Sequence, residues 1–432
     1  MAKPLFHNTQ EISVNSANDL WHCLSQVKVL DLTNEMGYMC GKMLADMGAD
    51  VIKIEWPEEK GKSKESSIYQ QIYDQENELY SQMYNAGKRS ITINLDCEDG
   101  RGLFKKLIAR TDIILESYPP GKMEDWGLDY QDLSAINSSL IYTSITPFGR
   151  SGPYRHNKIT DLVAMAMGGP LFLTGDDDRP PVQTGYPQAY LHAGAEACVA
   201  TMMALYHRET TGEGQLVDVS IQESLMATTF NTFFTWITNH AVIPRMGSSR
   251  MVGIYLNMPL VWPCKDGFVN FTVLGGPSGG KTMRNLANWM EEEGMGDETI
   301  SSTDWGSLDF YGLTTEMVEK VIKPLELFFS KYNREELFSE SIKRGIMLFP
   351  VVSADDILTD PHLDEKGFWQ QLEQSGIEGR ILFPRSPIRI NDEYLPLRSK
   401  APHVGEHNEE VLRELLGISE QEFNELVKKE VL

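Results

Sequence analysis

Short β-branched runs alternate with apolar-periodic helical stretches through the first half of this chain, and no other feature restricts its fold as strongly. VKVLDLT (27–33), CGKMLADMGA (40–49) and VIKIE (51–55) read as strand, helix and strand. A strand that returns beside its predecessor through a helix builds a parallel sheet. The pattern recurs in RSITINLD (89–96), GRGLFKKLIART (100–111) and DIILES (112–117), and LIYTSIT (140–146) adds another strand. A doubly wound α/β sheet across the first half is the economical reading.

With 432 residues the chain exceeds one ordinary core, so more than one lobe is expected. The small and apolar residues AGAEACVATMMALYH (193–207) predict a buried helix within 185–207 that turns at Gly212 and Gly214 into the strand LVDVSI. From about Leu225 the character changes. TTFNTFFTWITNHAV is aromatic-rich, and CKDGFVNFTVL predicts a hairpin turning at Asp266-Gly267. A loop at LGGPSGGKTM and later acidic helices complete a smaller α+β lobe. GRILFPRSPIRI reads as strand, and EEVLRELLGISEQEFNELVKK as helix.

The net charge is −23. That excess repels phosphate backbones and anionic lipid, so neither nucleic acid nor membrane is an expected partner. No segment reaches the ~18 apolar residues of a membrane span, and the first twenty residues lack a signal-peptide pattern. The five cysteines form no CxxC pair, so neither a metal site nor a disulfide framework is expected, and a cytoplasmic location fits.

GxGxxG after the first strand and HExxH are missing from the chain. Gly275, Gly276, Gly279 and Gly280, with Lys281 behind them, form either a lid over a substrate or a surface turn. Asp176-Asp177-Asp178 reads as a solvated turn, and His192 with Glu196 as a hydrogen-bonded pair at a helix start. Phe230, Phe233, Phe234, Trp236 and Tyr255 line an acyl pocket or, as aromatic runs more often do, build core.

Taken in order, VLDLT…MLADMGADVIKIE, NAGKRSITINLD, ESYPPGKMEDWGLDY, TPFGRSGPY, TTGEGQLVDVSIQESL, DDILTDPHLDEKGFW and VGEHNEEVL resemble the class III CoA-transferases, a family that also holds the α-methylacyl-CoA racemases. The resemblance implies a Rossmann-like large domain (1–225), a linker and small α+β domain (226–345), and a return linker with a C-terminal segment completing the large domain (346–432). It also implies two chains interlocked as rings. No cofactor is held permanently; a coenzyme A thioester enters as substrate beside a carboxylic acid. In the family, an aspartate attacks the thioester to give a mixed anhydride, and CoA then returns to make an aspartyl-CoA thioester.

Carried over residue by residue, that aspartate position is Tyr190. A phenol with a pKa of about 10 is protonated at neutrality and is a poor substitute. The racemase histidine falls on Ile159. A CoA-contacting glutamine becomes Glu35 or Met36, the arginine after the second strand has no counterpart in IEWPEE, an asparagine becomes Ser117 and an arginine becomes Asp125. Lys88 and Arg89 remain as cations placed to meet CoA, or else hold a strand boundary. The resemblance therefore implies a degenerate subunit whose paralogous partner keeps the aspartate, as a heteromeric member such as benzylsuccinate CoA-transferase would. The alternatives are a homomeric enzyme using another carboxylate, Asp161 or Glu196, and a non-catalytic acyl-CoA-binding scaffold.

Overall fold

The computed structural model describes residues 23–57, 74–252, 256–308, 314–373, 380–395 and 397–432. The described residues form two compact units, the first drawn from 1–168, 185–228 and 361–432, the second from 169–184 and 229–360.

The first unit is built on a six-stranded sheet ordered β3-β2-β1-β4-β5-β6. Its strands are β1 Lys28–Leu32, β2 Asp50–Glu55, β3 Arg89–Thr92, β4 Ile113–Glu116, β5 Ile141–Thr146 and β6 Leu216–Ser220. Every pairing is parallel. β4 and β5 are buried along their whole length, including the polar Glu116, Thr143, Ser144 and Thr146, as strands covered on both faces are. The chain order reverses between β1 and β4, the place where open α/β sheets receive ligands.

The helix Glu98–Ile108 shows how local sequence builds this unit. Cys97 caps it by accepting from the Gly100 N–H at 3.3 Å, and Glu98 and Asp99 face its positive end while Lys105 and Lys106 face its negative end. Its face of Leu103, Phe104, Leu107 and Ile108 enters the core shared with Leu30, Ile52, Ile91 and Ile114. The long helix Ala189–Thr211 follows a different logic. Ala193, Gly194, Ala197, Cys198, Thr201 and Ala204 form its buried side, and a Cβ on Gly194 would lie 2.6 Å from that of Met39. Small residues let its backbone approach the helix Tyr38–Asp46 closely.

The C-terminal segment returns to this unit and closes the edge strand β3. The Ser90 N–H donates to His407 Nδ1 at 3.2 Å, the Thr92 N–H to Asn408 Oδ1 at 2.7 Å and the Asn94 N–H to the Val431 carbonyl at 2.8 Å. An otherwise open edge is thereby satisfied. The predicted terminal helix is two helices, Asn408–Leu416 and Glu420–Lys428, the second opened by a Ser419–Glu422 capping box.

The second unit holds the antiparallel strands Val261–Cys264, Gly267–Phe271 and Leu348–Pro350. Gly267 pairs with Cys264, so the hairpin turns at Lys265-Asp266, one residue earlier than expected. Trp262, Trp289, Trp305, Phe271, Phe328 and Phe329 dominate its core. Leu348–Pro350 belongs to this sheet, and the unit runs to Asp360.

Two expectations for this unit change. The glycine loop is instead the start of the helix Gly276–Glu292, with Gly275 at its N-cap and Pro277 in the first turn. A Cβ on Gly279 would sit 2.5 Å from the Leu274 carbonyl oxygen, and one on Gly280 2.5 Å from Gly306 Cα. Close backbone packing inside the unit accounts for these two glycines. The aromatic run forms the helix Phe230–Asn239, with no buried residue. Phe230, Phe234 and Trp236 are exposed, so the run is not core; Tyr255 lies outside the described residues.

Candidate functional site

Tyr190 is the second residue of the helix Ala189–Thr211, whose N-cap is Gln188, and its side chain is buried. Beneath it lies Asp161, the first residue of the short helix Asp161–Met167 that Thr160 caps. The Ala189 N–H donates to Asp161 Oδ1 at 2.7 Å, and the N–H groups of Gln188 and Tyr190 also reach this carboxylate. Its other oxygen, Oδ2, is buried with no hydrogen-bond partner among the described residues. Burial raises the carboxyl's pKa, while the backbone N–H groups and His192 pull it back.

Four more tyrosines gather around this helix start. Tyr80 has ring centroids 4.6 Å from Tyr84, 5.9 Å from Tyr186 and 6.4 Å from Tyr38. Tyr84 and Tyr186 share a hydrogen bond between hydroxyls. Burial, followed by the neighbouring phenols, Glu35 and Asp161, raises the Tyr80 pKa far above that of a free phenol. These side chains stay protonated and neutral. Phenols wall the start of this helix, with Asp161 as the buried acid among them. Ile159, half-buried just before Asp161, supplies no base. His192 and Glu196 are exposed on the same helix.

At the switch point, the loops after β1 and β4 are tied together. The Asn34 N–H donates to Ser117 Oγ at 2.8 Å, and that hydroxyl donates to Asn34 Oδ1 at 2.9 Å. Glu35 and Met36 are half-buried beside this clasp. After β2 and β4, Trp126 packs against Trp56 (6.0 Å) and edge-on against Tyr118 (5.2 Å), with Lys122 Nζ 4.2 Å above its ring. Trp126 Nε1 donates to Asp96 at 3.2 Å, and Glu124 and Asp125 are exposed nearby in sequence. Carboxylates are as prominent as cations along this rim, a poor match to several phosphates.

Lys88 and Arg89 are committed elsewhere. Lys88 is 1% exposed, and its Nζ lies 2.7 Å from Asp31 Oδ2 and 2.9 Å from Asn85 Oδ1. Arg89 Nε donates to Asp50 at 3.0 Å, and its Nη1 bonds Glu410 and Glu414 at 3.0 and 2.7 Å. The first is sealed in the sheet, and the second ties it to the C-terminal helix. Asp176 and Asp178 pair with Arg179 at 3.2 and 3.4 Å.

Glu116, at the end of β4, escaped the sequence reading. It is 3% exposed and accepts from the Tyr118 N–H at 2.7 Å. Burial pushes its carboxyl up to about 7, against smaller lowering contributions from Ser144, the Tyr118 N–H and Arg150. A raised folded pKa favours the folded state below the unfolded value of about 4.3, and that advantage is lost as pH rises through 7. Glu116→Gln is therefore expected to stabilise the chain relative to the parent at pH 8 by up to about 3 kcal/mol and to change little at pH 4. Urea unfolding at the two pH values reads the difference; an equal shift at both would refute the assignment.

Comparison with known proteins agrees with the chain's motif order. The model of CoA-transferase family III matches residues 24–408. The chain is similar to the succinyl-CoA:(R)-benzylsuccinate CoA-transferase subunit BbsE of Thauera aromatica, at 32% identity over 90% of this chain and 93% of that protein. It is also similar to the succinyl-CoA–L-malate CoA-transferase beta subunit of Chloroflexus aurantiacus, at 28% identity over 95% and 98%. Among solved structures, a CAIB/BAIF family protein from Brucella suis matches with a TM-score of 0.72 and 29% identity, covering 90% of this chain and 98% of that one.

Proposed function

Because the chain belongs to CoA-transferase family III, we propose that it is one subunit of a heteromeric enzyme that moves CoA from a donor such as succinyl-CoA to a carboxylic acid, with the covalent step carried by a paralogous subunit. The observation that carries this reading is Tyr190: a buried phenol stands at the start of the helix Ala189–Thr211, where the family's chemistry needs a carboxylate.

In the partner, a carboxylate oxygen attacks the thioester carbonyl, a C–O bond forms, the C–S bond breaks and CoA leaves as thiolate. The thiolate then attacks the carboxyl carbon of the enzyme side of the anhydride, releasing the donor acid and leaving an enzyme-bound CoA thioester. The acceptor carboxylate repeats the exchange in reverse and leaves as its CoA ester. The anhydride offers the returning thiolate a carboxyl carbon on the enzyme side, and an ester of Tyr190 has none.

Similarity to proteins named as subunits, BbsE and the malate enzyme's beta subunit, supports a two-gene assembly, and BbsE supports an aryl-substituted succinate as the acceptor class. CoA enters as substrate, and no resident cofactor is required. Two chains linked as rings are the expected assembly.

The test is expression of this chain alone and together with a class III paralogue that keeps aspartate at the position of Tyr190. Transfer from succinyl-CoA to benzylsuccinate is expected only from the pair. Comparable turnover by the isolated chain would end the proposal.

A further inference from the structure

The geometry points to an anion site at the first turn of the helix Ala189–Thr211 that the chain fills with its own Asp161, so that once emptied this turn takes a small carboxylate. This deepens the reading that position 190 carries no acyl group, and explains how such a half-site stays silent.

A helix start exposes backbone N–H groups that have no intrahelical acceptor, and the aligned peptides place partial positive charge there. This helix runs for 23 residues, its N-cap Gln188 makes no side-chain cap hydrogen bond, and no acidic residue lies in its first turn. Its charge is met instead from outside the helix. Asp161, 28 positions earlier, receives the Ala189 N–H at 2.7 Å and the N–H groups of Gln188 and Tyr190. An anion entering from solvent would need these same donors.

The second observation is Asp161 Oδ2. The side chain is 98% buried, since its exposure is 2%, yet this oxygen has no hydrogen-bond partner among the described residues. An acceptor held dry without a donor costs free energy, so Oδ1 and its N–H partners hold the carboxylate in place while half of its bonding capacity stays unused. A free carboxylate is the smallest group that reproduces Oδ1, and it would be able to rotate to satisfy its second oxygen. Tyr80 and His192 are the titratable groups that interact with this carboxyl; neither places a competing negative charge there at neutral pH. The ligand class is therefore a monocarboxylate of formate or acetate size, or the carboxylate end of a longer acid.

Chemical rescue tests this on the full-length chain without any CoA transfer, so its failure leaves the heteromer proposal standing, and the converse also holds. Asp161→Gly removes the occupant and opens its space; Asp161→Asn removes the charge but fills the space. Both are expected to lower Tm by about 2–4 °C through loss of the capping carboxylate. Sodium acetate, at ionic strength held constant with sodium chloride, should restore the Tm of Asp161→Gly saturably and slow amide hydrogen exchange in the segment 188–190. Asp161→Asn and the parent chain should not respond. If Asp161→Gly does not fold alone, acetate must raise its refolding yield. No rescue, rescue matched by chloride, or an equal response from the parent would each overturn the site.

Discussion

Incubated alone with succinyl-CoA and quenched with hydroxylamine, the isolated chain is expected to carry no hydroxamate on its own side chains, a shortfall on the order of 10⁴-fold against a subunit that keeps its nucleophile. The reasoning starts from the side chains around Tyr190. A phenol is almost wholly protonated at neutrality, and the adjacent phenols Tyr80 and Tyr84 are pushed further up by burial, Tyr80 also by Tyr84. The acid in the cluster, Asp161, is tied through Oδ1 to the start of the helix. The only buried carboxylate beside Tyr190 among the described residues is Asp161 itself. Its attack on a thioester would require withdrawing it from those donors. Mass spectrometry of the quenched chain locates any adduct. A hydroxamate at Asp161 would replace the heteromer with a single-chain mechanism built on a displaced nucleophile, and one at Glu196 would do the same from the exposed face of the helix.

The parallel sheet was legible because its strands are short runs rich in β-branched residues, such as IILE and IYTSIT, that alternate with helical stretches. The buried helix after 185 was legible for a related reason: small residues on one side mark close helix packing. The glycine run misled because glycine is ordinarily a loop residue. Here Pro277 can begin a helix, and the glycines behind it satisfy contacts with Leu274 and Gly306 that lie elsewhere in the chain. The aromatic run misled in the opposite direction, since aromatic residues are usually enclosed and this helix encloses none of them. The site itself depends on long-range pairings. Asp161 meets Ala189, Asn34 meets Ser117, and the tyrosine cluster draws on positions from 38 to 190. The only local hint was Tyr80 and Tyr84, four apart on one helix.

Lys88→Met is expected to destabilise the chain by about 3–5 kcal/mol, the usual cost of leaving one member of a buried ion pair without its partner. Asp31 lies inside β1 with no exposure, 2.7 Å from Lys88 Nζ and 3.5 Å from Lys53 Nζ, with Thr33 Oγ1 donating at 2.6 Å. Burial alone would raise the Asp31 carboxyl, but the charges of Lys53 and Lys88 and the bonds from Lys88 and Thr33 outweigh it and hold the group far below the ordinary carboxylate range. A depressed folded pKa contributes stability above the unfolded value of about 3.9 and loses it as pH falls toward the folded value. Lys88→Met should therefore lower the urea midpoint strongly at pH 7 and less at pH 3. Adding Asp31→Asn to Lys88→Met should recover part of the loss, because the remaining buried charge is removed with its partner. A cation that served CoA would behave otherwise. Its removal would weaken acyl-CoA binding in the heteromer while leaving the urea midpoint unchanged at every pH, and that outcome would return Lys88 to the binding site.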